Sequence, residues 1–158
     1  MRKKLAIIQA AYYNDITTLM WKGALDEIYN LDKDAKIISS ITDFVVSGVF
    51  ELPVIISKNI NKFDAFIVLG CVIKGETPHF DFISRATIDA IMNLSVEYKK
   101  PIGNGIITCL NKKQALERAD FKKKNKGAEA ARAVFSVLGF YNDRKNNDKL
   151  FKRIKRKS

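Results

Sequence analysis

The sequence predicts an α/β protein, a three-layer α/β/α sandwich around a central four-stranded parallel sheet. Three observations predict it. Four β-rich runs alternate with stretches of helical periodicity in the order β-α-β-α-β-α-β-α-α, an order that calls for parallel strands and right-handed crossovers. The run Ala65-Phe66-Ile67-Val68-Leu69-Gly70-Cys71-Val72-Ile73 is nearly all apolar, as a strand buried on both faces must be. The helical stretches carry their apolar residues on one stripe, as helices covering a sheet do.

Lys4–Ala11 reads as the first strand. A helix follows, with Leu19, Met20, Trp21, Ala24, Leu25 and Ile28 at three- and four-residue spacing and Asn14 or Asp15 able to cap it. Lys36–Val46 is rich in β-branched and aromatic residues and reads as the second strand. Glu51–Asn61 reads as a helix that admits Pro53 only in its first turn. Asp64–Ile73 is the third strand. Thr77 as cap and Pro78 as first residue then open a helix whose stripe is Ile83, Ala86, Ala90, Ile91 and Leu94. Pro101–Cys109 is the fourth strand. Asn111, with Gln114 three residues on, begins a short helix as a capping box would. A final helix runs from about Ala128 to Leu138 and ends near Gly139.

A chain of 158 residues fits one domain, here residues 1–140, followed by a basic tail over 141–158. With 47% hydrophobic and 28% charged residues the composition is that of an ordinary globular protein. No apolar run reaches the ~18 residues of a membrane span, and the basic, apolar N-terminus is too short and lacks a cleavage site for a signal peptide. A cytosolic protein without a membrane partner is expected. Cys71 and Cys109 lie in apolar strands with no CxxC or His/Cys cluster, which reads as buried free thiols. A single His makes a metal site unexpected.

The net charge of +11 is uneven: the tail from Tyr141 holds eight Lys/Arg against two Asp, and Lys122-Lys123-Lys124-Asn125-Lys126 forms a second cluster. Such charge attracts polyanions or phosphorylated substrates. Phe151 is the only aromatic after Tyr141, so the tail offers no evident base-stacking platform and no specific nucleic-acid partner is expected.

In open parallel sheets ligands bind beyond the carboxyl ends of the strands. Three polar clusters fall there: Tyr13-Asn14, Gly48–Glu51 and Lys74–His79. In Gly70–Asp81 a buried strand enters a glycine turn and then a helix start, whose free amides receive anions such as phosphate. The strand edge Cys71–Ile73 offers backbone groups to a planar heterocycle, and His79 can move protons near neutral pH. Phe50 beside Glu51 can stack on a ring and accept hydrogen bonds from hydroxyls. Arg118 can clamp phosphate bidentately. Each feature taken alone also has a structural reading: an exposed histidine, a core Phe beside a helix-start acid, an Arg paired with Glu117 or Asp120.

Taken together, Gly48-Val49-Phe50-Glu51-Leu52-Pro53, Gly70 through Asp81, Pro101–Thr108, Gln114–Ala119 and Asn125–Ala131 resemble the lumazine synthase family in order and spacing, over Leu5 to about Leu138. The resemblance implies a flavodoxin-like fold. It also implies a transferase that condenses 5-amino-6-(D-ribitylamino)uracil with 3,4-dihydroxy-2-butanone 4-phosphate, in riboflavin biosynthesis, with no cofactor or metal. Carried over, Tyr13 would stack on the pyrimidine, and Phe50 and Glu51 would hold the ribityl chain, with the amide of Val49 nearby. Cys71, Val72 and Ile73 would contact the ring by their backbone. Glu76 and Thr77 would meet the phosphate, His79 would transfer protons, and Arg118 would bind phosphate with Lys126 as a second cation.

Asn104 and Arg118 would serve a neighbouring subunit's site in a pentamer, or in a sixty-subunit shell of pentamers, with riboflavin synthase as a possible associate. Asn104 stands where many relatives carry Phe, and Tyr13 adds a hydroxyl where Phe or Trp is frequent. The alternative of another class is a flavin- or pyrimidine-binding module of the same fold without catalysis.

Overall fold

Alternation along β1 (Lys3–Ala10) sorts its side chains to two sides of a sheet: Leu5 and Ile7 enter one buried cluster, Ala6, Ile8 and Ala10 the other. β3 (Ala65–Ile73) repeats this, with Ala65, Ile67, Leu69 and Cys71 on one side and Phe66 and Val68 on the other. Both strands are central, in a computed structural model that describes residues 1–138 together with Lys152 and Lys155. The sheet order is β2-β1-β3-β4, all parallel, with β2 (Ile38–Val46) and β4 (Ile102–Cys109) at the edges. Helices α1 (Asn14–Leu31), α4 (Lys112–Ala119) and α5 (Lys126–Val137) cover the first side. Helices α2 (Leu52–Asn59) and α3 (His79–Tyr98) cover the second. The expected three-layer fold and its element order are therefore present. The expected tail over 141–158 lies, apart from Lys152 and Lys155, outside the described residues, as does the expected stop at Gly139.

Several local expectations need correction. A 3-10 turn over Ala11–Tyr13 runs straight into α1, so neither Asn14 nor Asp15 caps it. Asp15 instead sits in the first turn and pairs with Lys112 at 2.9 Å. The second strand starts at Ile38, because the backbone N–H groups of Lys36, Ile37 and Ile38 all donate to the Asp32 carboxylate at 2.8 to 3.1 Å and hold that segment in a loop. α3 begins one residue later than expected: Pro78 is the cap residue, no side chain caps it, and His79 is the first helical residue. On α3 the buried positions are Thr87 and Ile91, while Ala86 is exposed. Residues 83, 87, 91 and 94 follow the helical repeat, and 86 falls about a quarter-turn away.

Asn111 accepts from the Gln114 N–H at 3.0 Å, but the reach-back bond from Gln114 lands on the Leu110 N–H, one residue earlier than in a standard capping box. α5 starts at Lys126, two residues before the expected Ala128, and Asn125 caps it: its Oδ1 accepts from the Ala128 N–H at 3.0 Å. Its Nδ2 donates to the carbonyls of Ala119 and Leu19, so one buried amide ties α4, α5 and α1 together.

Candidate active site

α1 leaves β1 on one side of the sheet and α3 leaves β3 on the other. The loops after these adjacent strands therefore diverge and open a crevice at their carboxyl ends. A cavity of about 430 Å3 lies there, lined by Tyr12, Tyr13, Gly48, Val49, Phe50, Cys71, Val72, Ile73, His79 and Ile83. Its walls are mostly apolar and aromatic, the character of a site for a planar ring. Tyr12 meets Tyr13 edge to face with centroids 4.9 Å apart, and Tyr12 and Phe50 are 77% and 61% exposed. Half-buried, Tyr13 packs against the core; burial and then the neighbouring Tyr12 hold its phenol above the ordinary range.

The cavity thus brings together seven residues named from the sequence: Tyr13, Val49, Phe50, Cys71, Val72, Ile73 and His79. Glu51 lies next to it with its carboxylate engaged: Oε2 accepts from the Gly48 N–H at 2.9 Å and from Ser47 Oγ at 3.3 Å. Glu76 and Thr77 are exposed in the loop before α3 and do not line the cavity. Sequence reasoning missed Tyr12 and Ile83, and placed Gly48 in a strand-end cluster without giving it a role. Tyr12 directly precedes the Tyr13-Asn14 cluster. Ile83 was assigned to the buried stripe of α3, which it shares with the cavity wall.

Arg118, Lys126 and Asn104 lie elsewhere. Arg118 and Lys126 share a second cavity of about 200 Å3 beside β4, lined also by Ile106, Ile107, Thr108, Lys124 and Glu129. Arg118 is not paired with Glu117 or Asp120; its Nη1 donates to the Thr108 carbonyl at 2.8 Å. Lys126 Nζ lies 2.9 Å from Glu129 Oε2. Asn104 is exposed on the edge strand, and its Oδ1 accepts from the Ile106 N–H at 3.0 Å. The two cavities have no lining residue in common.

The model of the family described as 6,7-dimethyl-8-ribityllumazine synthase matches residues 2–141. The chain belongs to this family. It is 39% identical over 142 residues to the 6,7-dimethyl-8-ribityllumazine synthase of Campylobacter curvus, a match that covers 89% of each chain. The proteins of the same name from Sulfurimonas denitrificans and Bartonella tribocorum are 38% and 36% identical, over 88% and 87% of this chain and 90% and 91% of theirs. Among the described residues, no helix is long and apolar enough to cross a membrane.

Within this family member the thiol on the cavity wall is expected to react slowly. Cys71 is buried on β3, and burial, reinforced by the neighbouring Cys109, pushes its pKa up to about 12. Thiolate is the reactive form, so native Cys71 should alkylate with iodoacetamide at pH 8 at least about tenfold more slowly than in the urea-unfolded chain. Mass mapping of labelled peptides over time checks this. Equal rates would mean that the thiol is open to solvent through the cavity.

Proposed function

We propose that the chain is a transferase that makes 6,7-dimethyl-8-ribityllumazine from 5-amino-6-(D-ribitylamino)uracil and 3,4-dihydroxy-2-butanone 4-phosphate, without cofactor or metal, in riboflavin biosynthesis. The observation that carries this reading beyond family membership is the division of labour between the two cavities. One is apolar, aromatic and edged by a histidine; the other is cationic.

The chemistry needs both. The pyrimidine amine attacks the ketone carbon, and loss of water leaves an imine. Phosphate then departs with the electron pair of its C–O bond, and ring closure releases a second water. Tyr13 and Phe50 confine the pyrimidine and its ribityl chain, the backbone of Cys71–Ile73 reads the ring edge, and Glu51 and the Val49 amide serve the hydroxyls. Departing phosphate accumulates negative charge, which Arg118 and Lys126 offset, with the loop at Glu76 and Thr77 beside it. His79 moves protons between intermediates. Much of the rate then comes from holding two reactants in register.

Because the cavities are separate within one chain, the proposal includes a second copy whose Arg118, Lys126 and Asn104 complete the first copy's ring site. Exposed Phe82, Met92 and Val96 on α3 support burial between copies. A pentamer is the assembly proposed; light scattering gives its mass and separates it from a sixty-subunit shell. A cytosolic location and association with riboflavin synthase belong to the same proposal, the latter tested by co-elution.

Formation of the lumazine from the two substrates, followed by absorbance, tests the reading against a non-catalytic pyrimidine binder. The binder would hold the amine substrate and turn nothing over. In the same assay His79→Ala is expected to lower kcat by about 10- to 100-fold without abolishing turnover, as for loss of a proton-transfer group whose part solvent can take. Unchanged kcat would remove His79 from the reaction.

A further inference from the structure

The cationic cavity beside β4 contains a charge that its assigned residues do not account for. Three cations, Arg118, Lys124 and Lys126, face one carboxylate, Glu129, a net of +2. Lys126 Nζ and Glu129 Oε2 lie 2.9 Å apart and cancel locally. Arg118 spends one donor on the Thr108 carbonyl. The Lys124 ammonium has no hydrogen-bond or ion-pair partner among the described residues. Neighbouring Lys123 differs: its Nζ lies 3.9 Å from Glu117 and it does not line the cavity.

The backbone that carries Lys124 is held at both ends. The Asp120 carboxylate accepts from the Lys122 N–H at 2.9 Å, the Asp120 carbonyl accepts from the Lys123 N–H at 3.2 Å, and the next residue, Asn125, is buried and triply bonded. Lys124 therefore projects from an anchored turn rather than a free loop. A phosphate monoester carries about −1.5 to −2 at pH 7, which the net +2 of the cavity matches.

We infer that Lys124 is a specificity-determining residue of the anion subsite, its uncommitted cation, and that it tunes affinity for the phosphate group both on the substrate and as released inorganic phosphate. The inference rests on the proposed function of this cavity. Lys124 holds the dianion before and after the C–O bond breaks, so it contributes to binding far more than to kcat.

The experiment uses the full-length assembly and compares Lys124→Gln, Lys124→Arg and Arg118→Ala with Lys58→Gln, a charge-matched change at an exposed position on α2. The readouts are KM for the butanone phosphate, KM for the pyrimidine amine, kcat, and Ki for inorganic phosphate. For Lys124→Gln, KM for the phosphate substrate and Ki for phosphate both rise about fivefold, as expected for one exposed charge-assisted contact, while kcat stays within about twofold. KM for the amine stays unchanged, and Lys124→Arg recovers most of the loss. A Lys124→Gln enzyme indistinguishable from Lys58→Gln, with Arg118→Ala still impaired, would overturn the inference and leave the proposed function standing. A rise in KM with unchanged Ki would also overturn it, by assigning Lys124 to the carbon skeleton. If Arg118→Ala leaves KM and Ki unchanged as well, the anion reading of the cavity falls and the inference with it.

Discussion

Arg118→Ala is expected to lower kcat/KM for the phosphate substrate by about 100-fold, through both a higher KM and a lower kcat. The side chain is exposed on α4, and its Nη1 makes one bond, to the Thr108 carbonyl. Losing that bond costs the fold less than about 1 kcal/mol, because the freed carbonyl can turn to water. The kinetic loss is larger because the leaving phosphate gains charge as its bond breaks, so a guanidinium beside it favours the transition state over the ground state. Lys at this position keeps the charge but not the planar fork, so Arg118→Lys should fall between the two. Steady-state kinetics on an assembly of unchanged mass checks this. Unchanged parameters would remove Arg118, and with it the second cavity, from the reaction.

The largest effect on stability is expected from Gly127→Ala. In a helix, Gly to Ala is ordinarily favourable by up to about 1 kcal/mol. Here the added Cβ would stand 1.9 Å from the Met20 carbonyl oxygen and 2.6 Å from its carbon, both backbone atoms of α1. Backbone cannot swing aside, so α1 and α5 must separate. That separation would strain the bonds Asn125 makes to Leu19 and Ala119 and loosen the buried Glu27–Arg132 pair, now 3.4 Å apart. Overpacking wins over propensity, with a net loss of about 2 to 4 kcal/mol. Gly75→Ala is the contrast: its Cβ would meet nothing within 4 Å, so stability should change by less than about 0.5 kcal/mol. Urea midpoints for the two variants test the sign as well as the size. A stabilised Gly127→Ala protein would mean that α1 and α5 lie further apart than the structure has them.

Legibility in the sequence followed locality. The apolar runs of β1 and β3, the stripe of α1 and the capping residue of α4 are set by neighbours within four residues, and they were readable. The ring cavity was readable in outline because its walls come from residues that directly follow strand ends. The start of β2 was not, since it depends on the Asp32 carboxylate collecting three amides four to six residues away. Nor was the role of Asn125, whose amide acts through carbonyls 6 and 106 residues distant.

The sequence by itself determined the parallel α/β order, the family, and which residues follow the strand ends. Periodicity, turn residues and motif spacing are properties of short stretches of chain. Only the tertiary structure decided that Tyr12 joins the ring cavity, that Arg118 donates to the Thr108 carbonyl, and that Glu27 is buried against Arg132. It also decided that the aromatic and cationic residues stand in separate cavities of one chain. Those facts depend on which elements pack together and on which charges find partners once water is excluded, and neither is encoded within any one segment.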